Sequence, residues 1–188
     1  RYTMDNDPVP DGLTGGIVIE AGAYEGAWAA KAAERGCLVY AFEPASRAYA
    51  IAKVRLAGRP NAHLYPLALG GGYHVAALHD CQRDGATWLP ADGPSEPVQV
   101  VDVSLVVSLL GHVDLMHLNA EGGEVDILER LVETGQIRDV GAVMVQWHPR
   151  PETNERIAAL ETALRRTHVK LPLYHCWGYW QRKAVGNE

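Results

Sequence analysis

The sequence predicts an α/β fold built on a mainly parallel sheet, and three observations carry that reading. Short apolar runs alternate repeatedly with amphipathic stretches, as successive βα units require. Runs such as "CLVYAFE" and "GAVMVQW" are apolar without a period of two, the mark of strands covered by helices on both faces. Glycine or proline marks the ends of the helical stretches, at Gly36, Pro44 and Gly58.

Residues 1–16, "RYTMDNDPVPDGLTGG", are polar and rich in Pro and Gly, and read as a loose lead-in to a single domain over 17–188. "IVIEA" reads as a buried strand and "AWAAKAAER" as a helix closed by Gly36. "CLVYAFE" is a second strand, and "ASRAYAIAKVRLAG" a second helix with Pro44 near its start and Gly58 after its end. "AHLYPLAL" reads as a third strand that Pro66 pushes toward an edge or an irregular end. "YHVAALHD" reads as a short extra strand. The aperiodic stretch from Cys81 to Pro97 reads as a functional loop, with Trp88 as a candidate cover for a substrate. "VQVVDV" gives a strand and "SLVVSLLG" a short helix.

"VDLMHLNA" is the next strand. The helix after it, "GEVDILERLVETG", places Val125, Leu128 and Leu131 or Val132 on one face. "GAVMVQW" is cut off by Pro149 and Pro151, and "ETNERIAALETALRRT" is an amphipathic helix carrying Ile157, Leu160 and Leu164. The aromatic-rich tail, with Tyr174, Trp177, Tyr179 and Trp180, reads as two strands joined at Cys176 to Gly178.

Composition narrows the partners. A hydrophobic fraction of 47% and a charged fraction of 21% are ordinary for a globular domain. A formal charge of -6 with scattered basic residues argues against a nucleic-acid partner, which would favour clustered Lys and Arg. Cys37, Cys81 and Cys176 are widely spaced and odd in number, which suits reduced thiols in a cytoplasm. There is neither an apolar run of the roughly 20 residues a membrane span needs nor a signal-peptide pattern. Arg1 is not a natural start, so a trimmed N-terminus, with a targeting or lid segment outside the sequence, is part of the expectation.

In parallel α/β sheets ligands sit outside the carboxyl ends of the strands. Glu20, Glu43, Asn119, Glu121, Gln146 and His148 fall there. Gly22 and Gly26 in "VIEAGAYEG" have a GxxxG spacing, so the GxGxxG fingerprint of a diphosphate site is absent. Glu43 ends the next strand about 20 residues on, where a carboxylate accepts hydrogen bonds from ribose hydroxyls. Glu25 in the turn is an awkward neighbour for a diphosphate. The pattern therefore favours S-adenosylmethionine, which has a ribose and an adenine but no phosphates, over a nicotinamide dinucleotide.

"VIEAGAYEG", "VYAFEP", "LALG" and "VDLMHLNAEGGEVDILERL" resemble, in order and spacing, the FkbM-type family of S-adenosylmethionine-dependent methyltransferases, over about Ile17 to Trp147. The resemblance implies a Rossmann-like class I methyltransferase fold: a mainly parallel seven-stranded sheet with an antiparallel last strand and helices on both faces. It implies O-methylation of a small metabolite, sugar or polyketide-like acceptor. It places Glu20, Gly22, Ala23, Tyr24 and Gly26 at the methionine portion, Glu43 with Pro44 at the ribose, and Ala68 and Leu69 beside the adenine. This chain departs from the family pattern at Tyr24, where Asn is usual, at Asn119, where Asp is common, and at Gln146, where Glu is common. Those last two departures keep a non-catalytic binding module in view as the alternative.

Transfer to an aliphatic hydroxyl calls for a base, and Glu121 and His148 are the candidates. Each has a structural alternative: a backbone-capping role for Glu121 and a strand-exit hydrogen bond for His148. Glu124 reads as a helix-stabilising acid. Glu121, Glu124 and His148 converging on a divalent ion, as in metal-dependent O-methyltransferases, is a further alternative, but their spacing does not require it and no metal is expected. His74 and His79 of "HVAALHDC" point to opposite faces if extended.

Overall fold

The computed structural model describes residues 8–80, 86–87, 94–172 and 177–184. The expectations for Trp88, Tyr174, Cys81 and Cys176 lie outside these residues. Strands β1 (Ile17–Ala21), β2 (Leu38–Phe42) and β3 (Ala62–Tyr65) alternate with helices α1 (Ala27–Glu34) and α2 (Ser46–Arg55). Next come β4 (Ala68–Gly70), β5 (His74–Asp80), β6 (Ala86–Thr87), β7 (Ser95–Asp102) and α3 (Val103–Leu110). The second half holds β8 (Leu115–Leu118), α4 (Glu124–Glu133), β9 (Ala142–Gln146), α5 (Asn154–Thr167), β10 (His168–Leu171) and β11 (Trp177–Arg182).

The main sheet has seven strands in the order β10-β11-β9-β8-β1-β2-β3. β3, β2, β1, β8 and β9 pair in parallel, and β11 inserts antiparallel between β9 and β10. Side chains alternate across the pleat, so each strand feeds two cores. Ile19, Ala21, Phe42, Met116, Leu118, Val143 and Val145 face one cluster, which takes in Val107 of α3, Leu128 and Leu131 of α4 and Leu164 of α5. Val18, Val39, Ala41, Leu115 and Met144 face the other, with Trp28, Ala29 and Ala32 of α1. Burial on both faces is what the continuous apolar strands predict.

Alternation also explains a buried polar pair. Glu20 and His117 stand opposite each other in the β1–β8 register, both on the α1 side, and both are about 1% exposed. His117 Nδ1 lies 3.5 Å from Glu20 Oε1. The imidazole is stacked between Trp28, at 4.1 Å between ring centroids, and Trp177, at 4.8 Å. Burial pushes the His117 pKa down to about 3, so this ring is neutral at physiological pH. Residues leading into β1 pack here too: Val9 is buried, and Pro8 O accepts a hydrogen bond from Trp28 Nε1.

The structure corrects the middle of the chain. The segment read as one strand, "AHLYPLAL", divides at Pro66: β3 forms the edge of the main sheet, while β4 joins a second sheet ordered β4-β7-β5-β6. Proline removes the ladder donor at the break. The runs read as an extra strand and as "VQVVDV" pair with each other as antiparallel β5 and β7, not with the main sheet. β7 begins at Ser95, so its first residues belong to a strand and not to the expected loop. Gly178, expected in the final turn, lies inside β11. A Cβ there would stand 3.2 Å from the Trp180 indole nitrogen, so glycine leaves room for that ring.

Candidate active site

The carboxyl ends of β1, β2 and β8 converge on a pocket that opens to solvent. Ala21, Gly22, Glu43, Pro44, Asn119, Ala120 and Glu121 line it from the main sheet. Ala68 and Leu69 of β4 and Leu78 of β5 close it from the second sheet. That explains the small sheet's place in the architecture: its β4 and β5 form an apolar wall facing the polar strand ends.

Two turns shape the polar side. Gly22 and Ala23 N–H groups both donate to Phe42 O, folding the chain after β1 across the end of β2. Gly22 has φ +84°, and a Cβ there would fall 1.9 Å from Asn119 O, so β1 and β8 approach closely only because this residue is glycine. Tyr24 follows with φ 49°, a left-handed conformation that costs an L side chain about 1–2 kcal/mol and that Asn tolerates better. The second turn places Glu121 at φ 52°. These are the two non-glycine residues with positive φ among the described residues, and each adjoins the pocket through its own turn.

Glu43 is 6% exposed and accepts hydrogen bonds from Tyr24 N–H at 2.6 Å and Ala45 N–H at 2.8 Å. Burial pushes its carboxyl up to about 7, even though those two N–H bonds favour the charged form; the nearby charges of Glu96 and Glu121 push the same way as burial. Each oxygen spends one lone pair on the backbone and keeps another for a ligand. Glu96 anchors the second sheet beside it, accepting from both Ser46 N–H and the Ser46 hydroxyl at the start of α2. Asn119 is buried on the pocket wall, and its Oδ1 has no hydrogen-bond partner among the described residues.

The β8–α4 turn is clamped by Glu124, which is fully buried. Its carboxylate accepts from Ala120 N–H at 2.6 Å, from Gly122 N–H at 3.0 Å and from His148 Nδ1–H at 3.0 Å. The helix-stabilising acid of the sequence reading is thus the organiser of the turn and of the histidine. His148 Nε2 then lies 3.7 Å from Glu121 Oε1, so the imidazole bridges the two glutamates. Burial disfavours the imidazolium, but the hydrogen bond and charge of Glu124, with the charge of Glu121, outweigh it and raise the His148 pKa above its usual value. Arg150 completes the cluster by donating from Nη2 to Glu121 O at 2.8 Å.

Of the residues singled out in the sequence, Gly22, Glu43, Pro44, Ala68, Leu69, Asn119 and Glu121 meet at one pocket. Tyr24 adjoins it through its N–H bond to Glu43. Glu20 instead turns its side chain into the α1 core beside His117, and Gly26 packs its backbone against Ala52 of α2. Ala23 is buried in that same α1 core, and His148 stands behind Glu121. Leu78, Arg150 and His117 carried no sequence signal: each acquires its place through pairing or packing distant in sequence. Among the described residues no group of three His, Cys, Asp or Glu side chains is arranged to hold a metal ion, and no helix is long and apolar enough to cross a membrane.

No protein-family model matches the chain, and no curated protein matches it in sequence. Solved structures do match across most of its length. A Pseudomonas syringae protein described provisionally as a methyltransferase aligns over 93% of this chain and 92% of its own, at 19% identity and a TM-score of 0.50. The Methanococcus jannaschii fibrillarin pre-rRNA processing protein aligns over 93% of this chain and 71% of its own, at 12% identity and a TM-score of 0.52. A conserved hypothetical protein of Streptococcus pyogenes aligns over 90% and 88%, at 13% identity and a TM-score of 0.51. Identities this low speak to architecture alone. The fold is the Rossmann-like class I methyltransferase fold, with the antiparallel last strand inserted as expected.

Proposed function

We propose that this chain is an S-adenosylmethionine-dependent methyltransferase that methylates a hydroxyl oxygen on a small-molecule acceptor, as the FkbM-type resemblance suggests. The observation that carries the reading is the pocket wall: buried Glu43 at the end of β2, the close Gly22–Asn119 crossing, and no cation among the lining residues. A carboxylate suits ribose hydroxyls, whereas a diphosphate would need N–H donors or cations where Glu43 and Glu121 stand.

The residues present fit the cofactor. Glu43 would hold the ribose hydroxyls, Ala68, Leu69 and Leu78 the adenine, and the unpartnered Asn119 Oδ1 the cationic amino-acid end. When bound, the cofactor supplies an electrophilic methyl carbon for in-line displacement. The protein's part is alignment, worth roughly 7–11 kcal/mol in analogous intramolecular reactions, together with proton removal. Glu121, on the pocket wall, is the group that meets the acceptor hydroxyl and takes its proton. His148 Nε2, 3.7 Å behind it, receives the proton onward while Glu124 holds Nδ1–H. The left-handed Glu121 backbone is the strain that aims this carboxylate.

Isothermal titration with S-adenosylhomocysteine tests the reading. Binding to the wild type and its loss in Glu43→Ala are expected. A folded protein that ignores the ligand, or a variant that binds it unchanged, would sink the assignment.

A further inference from the structure

Arg150 is a cation held against the Glu121 turn beside the pocket, and the proton relay does not use it. It stands in the β9–α5 connection between Pro149 and Pro151. Its backbone is pinned there: Arg150 N–H donates to Thr153 Oγ1 at 2.9 Å, and Arg150 O accepts from Thr153 and Asn154 N–H at 3.0 Å each. The side chain reaches back across the β8–α4 turn. Nη2 donates to Glu121 O at 2.8 Å, and the guanidinium comes so close to Gly122 that a Cβ there would be 2.5 Å from Nη2 and 2.9 Å from Cζ. Among the described residues Arg150 forms no ion pair, although acidic side chains surround the turn it covers. The other arginines close to carboxylates on α4 and α5 are neutralised, Arg130 by Asp102 and Arg156 by Asp126 and Glu129.

A guanidinium offers five N–H donors in a planar fork matched to a carboxylate or a phosphate. One Nη2 donor is used on Glu121 O, which fixes the fork in place and leaves Nε and Nη1 for a ligand. The fixed fork, its neighbourhood to Glu121 and His148, and the lack of an ion pair among the described residues together specify a ligand chemistry.

We propose that Arg150 is an anchor for an anionic group, a carboxylate or a phosphate ester, on the methyl acceptor. The acceptor is then a hydroxylated acid in which hydroxyl and anion are a few bonds apart, and neutral sugars or polyketides are poor substrates. This rests on the methyltransferase reading above and adds the substrate class to it. Held by its anion on Arg150, the acceptor presents its hydroxyl to Glu121, and the short span between them sets which hydroxyl is methylated.

The test uses wild type, Arg150→Lys and Arg150→Gln. Each is first titrated with S-adenosylhomocysteine by calorimetry, then saturated with it and titrated with inorganic phosphate or acetate at constant ionic strength set by chloride. Backbone amide shifts of Gly122 and Glu121 and the Arg150 Nε–H signal are followed by NMR. The expected result is a saturable shift at these signals in the wild type, with the backbone amide response at least tenfold weaker in Arg150→Gln and partly kept in Arg150→Lys, and with S-adenosylhomocysteine affinity the same in all three. A stronger response to phosphate assigns a phosphate ester, and a stronger response to acetate a carboxylic acid. Cofactor-ligand binding without any anion response, or with an equal response in Arg150→Gln, overturns the anion anchor while leaving the methyltransferase reading intact. Failure of the wild type to bind S-adenosylhomocysteine overturns both.

Discussion

Lowering the pH from 8 to 6 should weaken the binding of S-adenosylhomocysteine about tenfold, through one carboxyl group. In the ligand-free protein burial holds Glu43 at about 7. Ribose hydroxyls donate to the ionised form, so the ligand binds the deprotonated protein. One unit above its pKa the group is about nine-tenths ionised and one unit below about one-tenth, and that ratio is a loss of about 1.4 kcal/mol. Stability moves the other way. The folded pKa is raised above the unfolded 4.5, so the folded state binds the proton more tightly between about 4.5 and 7. Stability from this group is present on the acid side and lost as pH rises through 7, by an amount on the order of 3 kcal/mol. Calorimetry at pH 6, 7 and 8, in buffers of different ionisation enthalpy, reads both the affinity and the proton released on binding. A dissociation constant that is flat across this range, or one that keeps its slope in Glu43→Gln, would show that Glu43 does not hold the ribose.

Other perturbations follow from the same geometry. Gly22→Ala puts a methyl group against Asn119 O and forces a left-handed alanine, so chemical denaturation should show a loss of about 3 kcal/mol, and a change below about 0.5 kcal/mol would contradict the close crossing. Tyr24→Asn relieves a left-handed tyrosine that is partly exposed, and thermal melting should show a gain of about 1 kcal/mol. Glu124→Gln removes the charge that outweighs burial at His148, so the imidazole pKa followed by NMR should fall from above its ordinary value to below it. In the wild type the acid limb of the rate profile should lie above the ordinary histidine value and move down with that substitution.

The βα alternation was legible because both faces of the sheet are buried, which leaves continuous apolar strands such as "VDLMHLNA" in the sequence. Gly22 and Glu43 were legible as site residues because both follow strands directly, where chain order and space coincide. What was not legible depends on pairing. The second sheet needs β5 to find β7 across a long connection, and nothing local tells that hairpin from an added strand of the main sheet. Leu78 enters the pocket only through that pairing. Glu20 and His117 meet only in the β1–β8 register, and a lone histidine in "LMHL" gives no hint of the two indoles that enclose it. Glu124 reads as a first-turn acid in any helix; its grip on Ala120, Gly122 and His148 appears once β8 and β9 lie side by side.

The most direct measurement is a crystal structure with S-adenosylhomocysteine. The expected complex has ribose hydroxyls on Glu43, adenine against Leu69 and Leu78, and the sulfur facing Glu121. A nucleoside bound elsewhere on the protein, or a pocket that stays closed by its own side chains at saturating ligand, would contradict it.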